Sequence, residues 1–139
     1  MSFVLDNSVV MRWCFGDGKP ADLAYATKAM EALPGSTAMV PIIWALEVAN
    51  VLARAEYAGS IDVAHGDAFL AMLRKLPIET DVEGAAFALS ETLGLARRHR
   101  LSAYDAAYLE LALRRQLPLA TLDAALRKAA KRAGVSLFG

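Results

Sequence analysis

Phe3-Val4-Leu5-Asp6 and Pro118-Leu119-Ala120-Thr121-Leu122-Asp123 decide the fold of this chain. Each begins with a short apolar run of buried-strand character and arrives at an aspartate. Between them the chain alternates. A helix is expected from Pro20 to about Leu33, closed by Pro34-Gly35. A second strand, Thr37 to Val40, stops at Pro41, and a long helix follows from about Ile42 to Ala58, with Gly59 as its C-terminal signal. Asp62 caps a further helix to about Leu76, and Pro77-Ile78-Glu79-Thr80 reads as a weak third strand. Helices are expected over Glu83 to His99, from Ser102 to about Gln116, and from Asp123 to Ala133; Val135 to Phe138 forms a terminal strand. Alternating strands and helices imply an α/β domain whose parallel sheet is covered on both faces. Sites in such sheets form beyond the carboxyl ends of the strands, where strand order reverses, and both Asp6 and Asp123 stand at such ends.

The bulk properties agree. At 139 residues the chain suits one domain spanning 1–139. Hydrophobic residues reach 56%, but 28 of the residues are alanine, which favours helix and buries little. The longest apolar run, Ala38 to Leu46, is far short of a membrane span, and the N-terminus has no basic region of a secretory leader, so no membrane partner is expected. One cysteine, Cys14, and two scattered histidines, His65 and His99, exclude a disulfide and a Cys/His zinc site of the usual kind. Cys14 reads as a small buried hydrophobe, and a reducing cytoplasm is the natural setting. Net charge is zero, yet Arg97 onward carries nine Lys/Arg and three Asp/Glu, against six and twelve before it. That asymmetry suits a basic face for phosphates, with Arg97, Arg98 and Arg100 as candidate contacts; a set of solvated helix faces would have the same composition.

Each acid also has a plain structural role open to it. Asp6 suits an Asx-turn, Asp123 a helix N-cap, and Ser102 with Asp105 a capping box. Glu47 is harder to explain so, since its helix is apolar nearly all round and its polar exceptions, Glu47, Asn50 and Arg54, share one face. A mostly buried helix with one polar stripe suggests a lined cleft, with Asn50 in support of Glu47; a solvated edge would show the same stripe. Together, Asp6, Glu47, Asp105 and Asp123 form a hard oxygen donor set suited to Mg²⁺ or Mn²⁺. Converging carboxylates repel by on the order of 4 kcal/mol per pair at about 4 Å and an effective dielectric near 20, so a cation or protons must offset them. Hydrolysis of a phosphodiester by water is the chemistry that uses such a cluster.

Four segments then carry a family resemblance over essentially the whole chain: Val4-Leu5-Asp6-Asn7-Ser8, Pro41 to Leu52, Leu101 to Leu109, and Leu119 to Asp123. In that order and spacing they resemble a PIN domain, in particular the VapC toxins of bacterial toxin–antitoxin modules. The resemblance implies a three-layer α/β/α sandwich with a five-stranded parallel sheet in order 3-2-1-4-5. It implies metal ligation and catalysis by Asp6, Glu47, Asp105 and Asp123, with Ser8 and Thr121 in support. It further implies Mg²⁺-dependent RNA cleavage, a homodimer and a cognate VapB-like antitoxin. A haloacid-dehalogenase-type phosphatase would need a second aspartate where Ser8 stands, and a receiver domain would need an acidic pair near the first strand and a late lysine. A housekeeping PIN ribonuclease without an antitoxin, or a catalytically silent PIN-like module that binds RNA or protein, remains open; the latter would be marked by loss of the acids. Trp13 and Phe15 are candidate groove or interface aromatics, and Trp44 a core residue.

Overall fold

Phe3, Val4 and Leu5 are all buried and form β1 (Phe3–Leu5), the strand from which the sheet extends both ways. The computed structural model describes residues 1–139. On one side β1 pairs in parallel with β2 (Ala38–Pro41), Val4 opposite Met39, and β2 pairs with β3 (Ile78–Asp81). On the other side it pairs in parallel with β4 (Leu119–Ala120), Leu5 opposite Ala120. The order is β3-β2-β1-β4, so β1 and β4 lie side by side although more than a hundred residues separate them.

Side-chain alternation divides the core into two layers. Phe3, Leu5, Ala38 and Val40 face one way, into a cluster with Val9, Leu33, Leu52 and Phe69. Val4, Met39 and Leu119 face the other way, into a cluster with Tyr108, Leu109, Leu111 and Leu126. The first layer is built on α1 (Asn7–Phe15), α2 (Pro20–Ala32), α3 (Ile43–Tyr57) and α4 (Val63–Leu73); the second rests on α5 (Leu93–His99), α6 (Ala103–Arg115) and α7 (Ala124–Ala133).

Three features differ from the sequence expectation. The helix α1 was unforeseen; it begins directly after β1, capped by Asp6, and closes at Gly16, whose φ of 63° is the left-handed value that favours glycine. The single helix expected over Glu83–His99 is broken into a 3₁₀ turn at Gly84–Phe87, a π turn at Ala88–Thr92 and the short α5. Beside these turns Arg114 reaches from α6 to bind Asp81 at 2.5 Å and Glu110 at 2.8 Å, with its guanidinium over the Phe87 ring. The fifth strand is reduced to one parallel bridge, Leu137 to Leu119, on the outer edge of β4. Phe138 stacks its ring 4.6 Å from Phe3, and the Tyr25 hydroxyl donates to the Phe138 carbonyl at 3.0 Å, so side chains take over where a longer ladder was expected. The four-stranded sheet keeps the expected order, with Leu137 in the fifth place.

Candidate functional site

Asp6 leaves the central strand with almost no freedom. Its Oδ2 accepts the hydroxyls of Ser8 at 2.6 Å and Thr121 at 2.9 Å, and the Ser8 backbone N–H at 3.4 Å. Both hydroxyls also accept: Ser8 Oγ from the Leu122 N–H at 2.9 Å, Thr121 Oγ1 from the Asp123 N–H at 3.0 Å. The ends of β1 and β4 are thus stitched together around one carboxylate by the Ser8 and Thr121 hydroxyls. Asp123 follows at the start of α7, where Oδ2 accepts the Leu126 N–H at 2.8 Å. Asp105 stands in the first turn of α6; its backbone N–H, rather than its carboxylate, donates to the capping Ser102 Oγ at 3.0 Å. Glu47 projects from α3, and the Tyr108 hydroxyl donates to its Oε1 at 2.6 Å.

All four acids line one cleft of about 570 Å³ at the carboxyl ends of β1 and β4, together with Asn7, Ser8, Arg12 and Asp22. Apolar walls come from Met11, Phe15, Val51 and Leu122. Burial pushes the Asp6 carboxyl up, against the pull of the Ser8 and Thr121 hydroxyls. Burial likewise raises Glu47; the Tyr108 hydroxyl opposes this, and the charges of Asp6 and Asp105 add to it. Asp105 is raised by burial and then by the charges of Asp6 and Asp123. Repulsion within a partly dry cleft is therefore physically present.

The acids line the cleft at separate positions. No three His, Cys, Asp or Glu side chains meet closely enough to hold an ion as they stand, so the tight cluster expected from sequence is looser here. The cause lies in the bonds above: Glu47 is held by Tyr108, Asp123 is turned onto the α7 N-terminus, and Asp6 is gripped by two hydroxyls. The donor set nevertheless fits a hard divalent cation: it is all oxygen and anionic, and three of its acids carry raised affinities for protons. Asn7, buried beside Asp6 and lining the same cleft, adds an Oδ1 atom with no hydrogen-bond donor.

Other expectations move. Asn50 is exposed, as is Arg54, and neither lines the cleft; Val51 does so beside Glu47. The polar stripe of α3 lies toward solvent, and the helix is less buried than its composition suggested, with Ile42 and Leu46 exposed. Arg97, Arg98 and Arg100 are exposed but outside the cleft; Arg98 lines a separate cavity of about 420 Å³ with Phe87 and Arg114. Trp13 is partly buried, its indole N–H donating to the Ala26 carbonyl at 2.8 Å, while Phe15 lines the acidic cleft. Trp44 packs against both core clusters, and Cys14 is buried. Sequence reasoning missed Asn7, Arg12, Asp22 and Tyr108. Recognising α1 would have placed Arg12 one turn beyond Ser8, and Tyr108 stands one turn beyond Asp105.

Residues 3–132 match the family described as the PIN domain. Among solved structures, PAE2754 from Pyrobaculum aerophilum superposes with a TM-score of 0.65 at 22% identity, over 93% of this chain and 79% of that chain. VapBC2 from Rickettsia felis, solved bound to a DNA fragment from their promoter, gives 0.60 at 13% identity, over 99% and 98% of the two chains. FitAcB from Neisseria gonorrhoeae gives 0.58 at 16% identity, over 100% and 97%. At these identities the likeness is one of fold. No curated protein matches the sequence significantly.

Proposed function

The chain belongs to the PIN-domain family, and from that premise we propose that it is a metal-dependent endoribonuclease, the toxin of a type II toxin–antitoxin module. The observation that carries this proposal is the gathering of four acids, from four distant segments, along one cleft at the carboxyl ends of β1 and β4. Asp6, Glu47, Asp105 and Asp123 would hold Mg²⁺, or Mn²⁺ in its place, and a bound ion would acidify a water and offset charge on the scissile phosphate. Asp6 supplies a carboxylate already fixed by Ser8 and Thr121, so little ordering is left for the loaded state. Glu47 keeps Oε2 free of protein donors, and that oxygen would be open to the ion. Arg12, held at 2.5 Å by Asp17, is the one basic side chain lining the cleft and faces a phosphate with positive charge. Outside the cleft, Arg97, Arg98 and Arg100 lie exposed ahead of the turn into α6 and supply a basic flank for the RNA backbone.

The folds of VapBC2 and FitAcB support the toxin assignment and, with it, a VapB-like antitoxin partner. Exposed Ile42, Leu46 and Tyr104 support association as a homodimer. No helix is long and apolar enough to cross a membrane, and we place the activity in the cytoplasm, with its RNA. Brief expression in bacterial cells, followed by gel analysis of total RNA, tests the proposal. New RNA fragments are expected with the natural chain, and none with Asp6→Asn or when purified chain and RNA are mixed in a chelator. Intact RNA after expression of the natural chain would overturn it.

A further inference from the structure

Tyr108 is fully buried, and its ring lies in the cluster that packs α6 against the sheet. Phenylalanine would fill the same space without a polar atom to satisfy, and an unpaired buried hydroxyl is costly. The hydroxyl donates to Glu47 Oε1 at 2.6 Å, across from α6 to α3. That distance is short, as expected when the acceptor is charged. Of the four acids, Asp6 is fixed by two hydroxyls and Asp123 by a backbone N–H, whereas Glu47, with the longest side chain, has this single hydrogen bond to hold it. Oε2 remains without a protein donor, in the cleft. Asp105 and Tyr108 stand one turn apart on the same face of α6, so one helix contributes an acid directly and governs a second through a phenol.

We propose that Tyr108 is a positioning residue of the carboxylate site: its buried hydroxyl locks Glu47 in one rotamer, leaves Oε2 for the cation, and thereby sets the affinity of the cleft for divalent metal. This rests on the metal-site reading given above. A free glutamate must be ordered each time an ion binds, and the phenol removes that cost beforehand.

The test uses the full chain and Mn²⁺ alone, with free Mn²⁺ followed by electron paramagnetic resonance and folding checked by circular dichroism. Tyr108→Phe keeps the ring and removes only the hydroxyl. It is expected to weaken Mn²⁺ binding about tenfold, the scale of one lost charged hydrogen bond. In a Glu47→Gln background the same substitution is expected to change Mn²⁺ affinity by less than about twofold, because Tyr108 acts through Glu47. If Glu47→Gln weakens Mn²⁺ binding and Tyr108→Phe does not, the positioning role is overturned while the metal site stands. A loss from Tyr108→Phe that is equally large with Glu47 already replaced would also overturn it, marking a general packing effect. If neither Asp6→Asn nor Glu47→Gln alters Mn²⁺ binding, the metal-site reading itself falls and this inference with it.

Discussion

Replacing Asp105 by asparagine removes one charge from the cleft and almost nothing else. The bond that caps α6 runs from the Asp105 backbone N–H to Ser102 Oγ at 3.0 Å and survives the substitution. What is lost is the favourable placement of an anion in the first turn of a helix, about 0.3–1 kcal/mol. What is gained is relief from burial of a charge and from the charges of Asp6 and Asp123, the causes that raise the Asp105 pKa above its ordinary 3.8. Each repulsion on a partly exposed charge is worth about 0.2–1 kcal/mol. Asp105 keeps part of its surface in water, and screening trims the gain. The net expectation in chelator at pH 7 is a variant more stable than the natural chain by about 1 kcal/mol, or about 3 °C in a chain of this length. The sign with pH follows from linkage. A raised folded pKa places the penalty fully above that pKa, and it fades as pH falls toward 3.8, so the two chains should converge on acidification. Excess Mg²⁺ should reverse the ranking, because the natural chain gains a ligand that the variant holds poorly. Thermal unfolding at pH 7 and pH 5, in chelator and in Mg²⁺, reads all of these on one preparation. A variant less stable in chelator, or one stabilised by Mg²⁺ as much as the natural chain, would refute the reasoning.

Thr121→Val keeps the shape of a fully buried side chain but takes a donor from Asp6 and an acceptor from the Asp123 N–H; a loss of about 1.5–3 kcal/mol in denaturant unfolding is expected, with cleavage reduced as well. Arg114→Ala leaves Asp81 and Glu110 buried without their cation, at a cost of about 3–5 kcal/mol. Burial pushes the Asp81 carboxyl up, but the bonds and charge of Arg114 outweigh it and hold the pKa below 3.8, so this contribution is present at neutral pH and is lost as pH falls through the lowered value. Cleavage per folded molecule should be unchanged, since the triad lies outside the acidic cleft. Arg12→Ala should weaken binding of an uncleavable RNA and lower the slope of log affinity against log salt by about one, as expected for one lost phosphate contact. Arg97→Ala with Arg98→Ala should flatten the same slope while leaving the catalytic rate constant alone, because neither side chain lines the cleft.

The sheet was legible because β1, β2 and β4 are short apolar runs punctuated by proline or acid, and because β1 and β4 each lead to an aspartate beyond the carboxyl end; β3, Ile78-Glu79-Thr80-Asp81, was the weak strand. Asp6, expected in an Asx-turn, and Asp123, expected as an N-cap, each cap a helix and also line the cleft, so a structural role and a place in the cleft do not exclude one another. The helix α1 escaped notice because its cap, Asp6, was read as the end of a strand and its Val9-Val10 pair has strand character. Asn50 was misplaced because the face of a helix that carries polar residues is more often the one toward water than the one toward a cleft, and α3 follows that rule apart from Glu47. Tyr108 was invisible as a site residue: in sequence it is one more large side chain on the apolar face of α6, and only the approach of α3 gives its hydroxyl a partner.

The proposed hydrolysis of RNA by Asp6 and its neighbouring acids with a divalent cation is open to a direct rate comparison. The rate at which purified chain cleaves a mixed RNA substrate is compared for the natural sequence and Asp6→Asn, in Mg²⁺ and in chelator. Cleavage is expected for the natural chain in Mg²⁺ alone, with a fall of at least about a hundredfold in the variant, equivalent to about 2.7 kcal/mol of transition-state stabilisation. Equal cleavage by the two chains, or undiminished cleavage in chelator, would contradict it.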